Sequence, residues 1–564
     1  MKSMLTMAIA VSALCVQSAA QDQPTRLMPV TSLPIPVDLV PPEEEPIKCG
    51  FPIILHALHE ARRGLTPDAS GDTRGLTQLE RSLARPELQT STLTGSFRVH
   101  YDTVGNNTPA LLDPVGNRIP GTARACVDSI ISILSHVVPV ETGTLHYPAP
   151  ISDGTLGGGP EYDIYVMELG AMYGFTTPDV STAPGGRAAS WITIDNDFVF
   201  VRPEPNRGLP GFKVTIAHEL HHAIQIGNYG YWDEDPFFYE ITSTWMEDVV
   251  YTEVNDYYNY LKAVWSHFRS PETPFTSGEM IMYSRAIWGH YISERFGIDV
   301  MREIWEKIRL LRPQLAIDQT LREHGVDLAG AYAEWSIWNY FTGSRAKPGL
   351  FYADAADYPE IIQSPVDFAG PSRDVPGSLG SMGTHYVQVV RSPDTMTVMM
   401  CNVDLAGTIL ATIPVLPYTL RLRSTRLDES YKSTPIGIFT KLDAADMSLW
   451  RTYYLGDTVR PYIDPTSFSS ERPFPIPFHP GPTPYVYIPV DGVDRLVGSL
   501  YVFSASADLV ASMTGISSTA HLGRQMFTWN GRTNDGTFAS TGVYLFVIEL
   551  PGGRVTGKIP VVRE

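Results

Sequence analysis

The stretch His218-Glu219-Leu220-His221-His222 reads H-E-x-x-H and constrains this chain more than any other feature. On a helix, that spacing puts His218 and His222 on one face, where both imidazoles can reach one zinc ion. Glu219 then sits beside the first ligand, placed to take a proton from an attacking water. The run from Val214 to Ile224 has no Gly or Pro, and Val214, Ala217, Leu220, Ala223 and Ile224 recur at helical spacing. A mostly buried helix is therefore expected. Two histidines and a glutamate buried on it need partners, and a metal supplies them. His221 falls outside the pattern and is expected in an outer or surface position, not as a ligand.

A catalytic zinc takes a third protein ligand and leaves one position for water. No third histidine follows in an H-x-x-G-x-x-H run. The next helix offers carboxylates instead. Asp235-Pro236 is a start signal, with Asp as N-cap and Pro at the first helical position. Glu240 and Glu247 lie two turns apart on one face of that helix. Either fits a ligand, and the other, or Asp248, fits a group that orients a histidine. Phe237, Phe238, Ile241 and Trp245 around them mark the helix as buried.

The first twenty residues read as a secretory signal: Lys2, an apolar run from Met4 to Val16, then Ser18-Ala19-Ala20 before Gln21. No second apolar run of membrane length is apparent, so a secreted or cell-surface protein without a transmembrane anchor is expected. The chain has 564 residues and a net charge of −19, with no basic cluster, which argues against nucleic acid as a partner. Three cysteines follow the signal: Cys49, Cys126 and Cys401. Export and the shared position of the first two ahead of the motif helix predict a Cys49–Cys126 disulfide.

Residues 21–90 form a leader or propeptide-like segment, rich in Pro at first and helical from Pro52 to His59. Residues 91–345 form the metal-binding domain, α+β in class: strands at 94–101, Tyr162–Met167 and Trp191–Asp195, a helix near Ala123–Val137, the motif helix packed under the sheet, then a helical lobe. Further helices fit Glu279–Phe296, Asp299–Leu311 and Leu328–Tyr340. Val, Thr and aromatic residues then alternate between Gly and Pro. That predicts two all-β modules, a sandwich-like one over 375–480 and a second over 485–564.

H-E-x-x-H followed by a helical Glu resembles the gluzincin zinc peptidases, the group that includes thermolysin and aminopeptidase N. Tyr239-Glu240-Ile241-Thr242-Ser243-Thr244-Trp245 aligns with the N-E-G-F-A-S-Y run of the aminopeptidases, and this resemblance makes Glu240 the third ligand. The Gly of that run is Ile241 here. More narrowly, His218 to Gln225 and Trp245-Met246-Glu247-Asp248-Val249-Val250-Tyr251 resemble exported bacterial metallopeptidases with H-E-x-x-H-A-x-Q and E-G-T-A-T-W-M-E-D runs. The resemblance covers about residues 95–360. It implies a thermolysin- or aminopeptidase-like domain with one catalytic Zn2+, held by His218, His222 and Glu240, with Glu219 as general base. Tyr283, in Tyr283-Ser284-Arg285-Ala286-Ile287-Trp288, resembles the oxyanion-stabilising Tyr of the aminopeptidases; His290 is the other candidate.

The substrate implied is a peptide or protein, aligned on an edge strand expected at Ser190–Asp195. Without a G-x-M-E-N run to grip a free N-terminus, an endopeptidase is expected over an aminopeptidase. The reading from another class is a non-catalytic exported binding or adhesion protein with a relic site. Phe527-Thr528-Trp529-Asn530-Gly531-Arg532, Asn534-Asp535-Gly536 and Ser540 to Leu545 resemble the Ig-like repeat of flagellar hook-cap proteins. That module implies contact with the cell surface or the export machinery.

Overall fold

The computed structural model describes residues 39, 45–63, 83–179, 185–202, 204–232 and 234–368. Beyond these it describes 372–390, 396–405, 415–424, 438–455, 473, 477–490, 496–521, 524–551 and 553–563. The expected export signal lies outside the described residues, as does most of the leader before Glu45.

Six strands form the first sheet: β1 (Ile47–Cys49), β2 (Thr90–Thr94), β3 (Phe97–Tyr101), β4 (Tyr162–Val166), β5 (Met172–Pro178) and β6 (Ser190–Ile194), in the order β1-β5-β6-β4-β3-β2. The single strand expected at 94–101 is a hairpin, because Gly95 takes a positive φ of 56° and turns the chain between β2 and β3. β5 is the one antiparallel neighbour of β6, whereas β3, β4 and β6 pair in parallel. Ser190–Ile194 is therefore an inner strand, not the expected edge. β5 lies between β6 and β1, and β1 is the edge strand on that side.

Helices α1 (Phe51–Arg63) and α3 (Leu209–Ile224) pack on this sheet, and α2 (Ala123–Val138) and α4 (Pro236–Val250) pack on α3. In α1, Phe51, Ile53, Ile54, Leu55 and Leu58 are buried in the main core. Each such side chain contributes about 1.5–3 kcal/mol, so α1 is docked on the domain. Helix α2 and the π-turn after it, Ala123–Thr144, are long and apolar enough by length and composition to cross a membrane, a run the sequence reading passes over; Cys126, Val127, Ile130 and Leu134 pack it into the main core. Helix α3 lies beneath β5 and β6 and packs along α4.

The helical lobe continues through Tyr258–Lys262, Ile281–Ser284, Ala286–Phe296, Asp299–Ile308, Pro313–Glu323 and Leu328–Tyr340. The helix expected over Glu279–Phe296 is broken at Arg285, which is fully buried and donates to the carbonyls of Phe275 and Thr273 at 2.9 and 2.8 Å. Asp235 stands at the N-cap of α4, but Arg312 takes its carboxylate and no side-chain cap forms. Gly289 lets Ala286–Phe296 cross α4 closely: a Cβ there would stand 2.4 Å from Trp245.

The described residues after Ser364 lie mainly in strands. Strands Trp450–Leu455, Met396–Asn402, Thr384–Val390 and Ser364–Asp367, in that order, form one sheet; it turns Met399 and Cys401 toward the helical lobe and Val398 and Met400 toward a sheet of Ile438–Ala444, Val415–Ser424 and Ser372–Gly380, by ordinary strand alternation. The last strands form one sheet of Val486–Val490, Arg524–Trp529 and Thr519–His521 and another of Leu509–Ser517, Val497–Phe503, Gly542–Leu550 and Gly553–Val561, around a separate core that includes Trp529, Phe546 and Ile559. The chain thus contains both helices and sheets, as an α+β reading requires.

Candidate metal centre

Helix α3 starts after Gly208 (φ 70°), with Pro210 in its first turn, and stays regular through His222. His218 and His222 therefore stack one turn apart, ring centroids 4.7 Å from each other and nearly perpendicular. Both Nε2 atoms face the carboxylate of Glu240 on α4: His218 Nε2 is 3.2 Å from Oε2 and His222 Nε2 is 3.0 Å from Oε1. The second pair is close, yet neither atom has a hydrogen bond of acceptable geometry. The first pair is within hydrogen-bond geometry, so one carboxylate spans both imidazoles. Ile241, at the position of the aminopeptidase Gly, is buried on an unbroken helix and leaves Glu240 in place.

The fourth member is Cys49. Its sulfur and one atom each of His218, His222 and Glu240 all lie within 4.8 Å of one another, every residue buried. Donors around a tetrahedral zinc stand about 3.3–3.8 Å apart, given bonds of roughly 2.0–2.3 Å. The four donors thus close on an ion with shifts of about an ångström or less. Among the described residues, this is the group with a donor set fit to hold a metal.

Each histidine is oriented by a partner on its other nitrogen. His218 Nδ1 donates to Glu247 Oε1 at 2.7 Å. His222 Nδ1 donates to Gln225 Oε1 at 2.8 Å, with Ser243 Oγ at 3.1 Å. Gln225 is itself tied by its amide to Thr242 Oγ1 at 3.0 Å. These contacts orient both rings so that Nε2 faces Glu240 and, once deprotonated, can take a cation. Lys48 braces Glu247 from behind, donating to Glu247 Oε2 at 2.8 Å and to Asp256 Oδ2 at 2.7 Å.

Glu219 is fully buried beside the cluster. Thr176 Oγ1 on β5 donates to its Oε2 at 2.7 Å, while Oε1 has no hydrogen-bond partner. Burial raises its pKa, against the pull of His218 and His222. Burial likewise opposes ionisation of Glu240, but the imidazoles of His222 and His218 hold its carboxyl down at about 2. Buried polar atoms almost always have partners. Orphaned atoms at Glu219 Oε1, His222 Nε2 and Glu240 Oε1 in one cluster call for a bound group.

Tyr283 reaches this site. Its hydroxyl donates to the Cys49 carbonyl at 3.5 Å, and burial, then Glu240 and Cys49, raise its pKa. His290 does not: it stacks on Tyr257 and its Nε2 is 3.8 Å from Asp248 Oδ2. Asp248 therefore orients neither ligand histidine. His221 is not on the surface and not in the donor group; it is fully buried, with its Nδ1 3.2 Å from Glu141 Oε2.

The expected Cys49–Cys126 disulfide is absent, and among the described residues none of Cys49, Cys126 and Cys401 is in a disulfide. Cys49 is committed to the histidine–carboxylate cluster, whereas Cys126 lies on α2 within the apolar core. Sequence reasoning also passes over Lys48, Thr176, Gln225 and Ser243. Gln225 carried a signal: at i+3 from His222 it shares that residue's helix face.

Residues 199–311 match a family of unknown function (DUF6055). That span contains the motif helix, Glu240, Glu247 and Tyr283, and excludes Cys49. No curated protein and no solved structure matches the chain.

Proposed function

We propose that this chain is a zinc-dependent peptidase of the gluzincin type, acting on peptide or protein substrates outside the cell. One observation carries the reading. Glu219 presents an unpartnered carboxylate oxygen beside a cluster of two oriented imidazoles and a third carboxylate. His218, His222 and Glu240 are the residues that hold the ion. Zinc, when bound, acidifies water and polarises the scissile carbonyl.

The remaining chemistry belongs to the side chains. Glu219 takes the proton of the attacking water through Oε1 and delivers it to the departing amine, while Thr176 holds Oε2 still. Tyr283 supplies a hydroxyl donor for the oxyanion. Glu247 and Gln225 are positioning residues, acting through the imidazoles. The lack of a G-x-M-E-N run to grip a free N-terminus supports an endopeptidase. The last β module, by its resemblance, serves surface attachment or spacing.

A second reading has its own support. A cluster with four protein donors and full burial also suits a structural zinc in a non-catalytic binding or adhesion protein. Casein turnover with and without a chelator separates the two. Chelator-sensitive turnover that Glu219→Gln removes supports the peptidase; a metal-loaded chain that stays inert with Cys49 replaced supports the structural site.

A further inference from the structure

The peptidase reading leaves one ligand too many. Cys49 stands where a water belongs, and it arrives on a segment outside the span that matches a family. β1 is three residues long and sits at the edge of the sheet. It pairs in parallel with β5, Cys49 opposite Gly174, through Ile47 N to Ala171 O at 2.7 Å and Gly50 N to Gly174 O at 2.9 Å. β5 is already paired to β6, so β1 adds nothing the sheet needs to close.

Side chains on both sides of Cys49 in the chain fasten it over the site. On one side Lys48 is buried between Glu247 and Asp256. On the other, Phe51 lies on the imidazole of His222, ring centroids 4.6 Å apart. The consequence is closure: Cys49 and His218 are 1% exposed, and Glu219, His222 and Glu240 are 0% exposed. No peptide reaches such a site. Yet Glu219 keeps a free oxygen and Tyr283 a nearby hydroxyl, groups that a purely structural ion does not use.

We infer that the segment Ile47–Arg63 is an inhibitory plug, with Cys49 as a displaceable fourth metal ligand and β1 occupying the edge of β5 along which an extended substrate pairs. This rests on the zinc reading. Coordination would take the thiolate, so the Cys49 proton would leave to solvent on binding. On opening, Cys49 would give up the ion, its sulfur would take up a proton or a thiol-reactive reagent, and its position would be left to water.

The test uses the full chain loaded with cobalt(II) in place of zinc. Thiolate ligation gives an intense near-ultraviolet charge-transfer band. The band is expected in the full chain and in Cys126→Ala, and lost in Cys49→Ala and Cys49→Ser. The zinc-loaded Cys49 variants, or the unmodified chain treated with an organomercurial, are expected to cleave casein at least tenfold faster than the untreated chain. The gain is expected to vanish in Cys49→Ala combined with Glu219→Gln. Cobalt bound without the band would overturn Cys49 as a ligand and leave the zinc reading standing. A band without any gain from either variant or from the mercurial would make Cys49 a structural ligand. No cobalt bound at all would instead remove the zinc reading itself.

Discussion

His218 donates from Nδ1 to Glu247 while its Nε2 faces Glu240, at 2.7 and 3.2 Å. The two carboxylates that helical phase leaves equivalent are thereby on opposite sides of one imidazole. Only Glu240 shares the side of His222 Nε2 and Cys49. Glu240→Ala is expected to abolish metal binding, and Glu247→Ala to weaken it by about 10–100-fold, as loss of a ligand's outer partner does. Paired metal titrations check this. Loss of metal in Glu247→Ala with retention in Glu240→Ala reverses the assignment.

Glu219→Gln keeps the shape of the site and removes the base. Measured in a Cys49→Ala background, it is expected to bind metal as its parent does and lose about 10²–10⁴-fold in turnover. Steady-state kinetics with metal analysis on the same preparation decides. Unchanged turnover excludes Glu219 as the base.

Metal uptake is expected to be coupled to protons. Burial opposes a charge on His218, but its hydrogen bonds with Glu240 and Glu247 raise its pKa to about 10 in the metal-free site. A raised pKa means the proton is held at neutral pH and must leave before Nε2 can ligate. Apparent affinity is therefore expected to rise with pH, by up to tenfold per unit for each proton displaced, until that pKa is passed. Calorimetry in two buffers of different ionisation enthalpy is expected to show at least one proton released per ion. Pairwise identical heats would contradict the sign.

Two glycines set the spacing around the site. A Cβ at Gly174 would stand 2.9 Å from both Thr193 O and Thr215 Cγ2, wedging β5 off α3; at Gly289 it would meet Trp245. Gly174→Ala and Gly289→Ala are each expected to cost about 1–3 kcal/mol, read from denaturant midpoints. Gly289→Ala is expected to do so without a change in metal ligation. A neutral result at Gly289 means that Trp245 shifts freely.

What the sequence shows and what it hides divide by range. The motif helix, α4 and Leu328–Tyr340 are legible because helical periodicity is local. β5 is not: all seven of its residues are buried, so it lacks the alternation that marks a half-exposed strand, and Gly174 breaks its apolar run. The break at Arg285 depends on carbonyls of Thr273 and Phe275, invisible to a periodicity. Cys49 is the clearest case. Counting cysteines suggests a disulfide, and only the folded sheet, which brings β1 against β5, shows that its neighbours are His218, His222 and Glu240.

The most direct test of the central claim is the metal content of the purified full chain beside that of His222→Ala. The geometry predicts about one zinc per chain in the first, from the one donor cluster among the described residues, and almost none in the second. A full chain that holds no zinc after growth in zinc-replete medium, or a His222→Ala chain that holds as much as its parent, would contradict it.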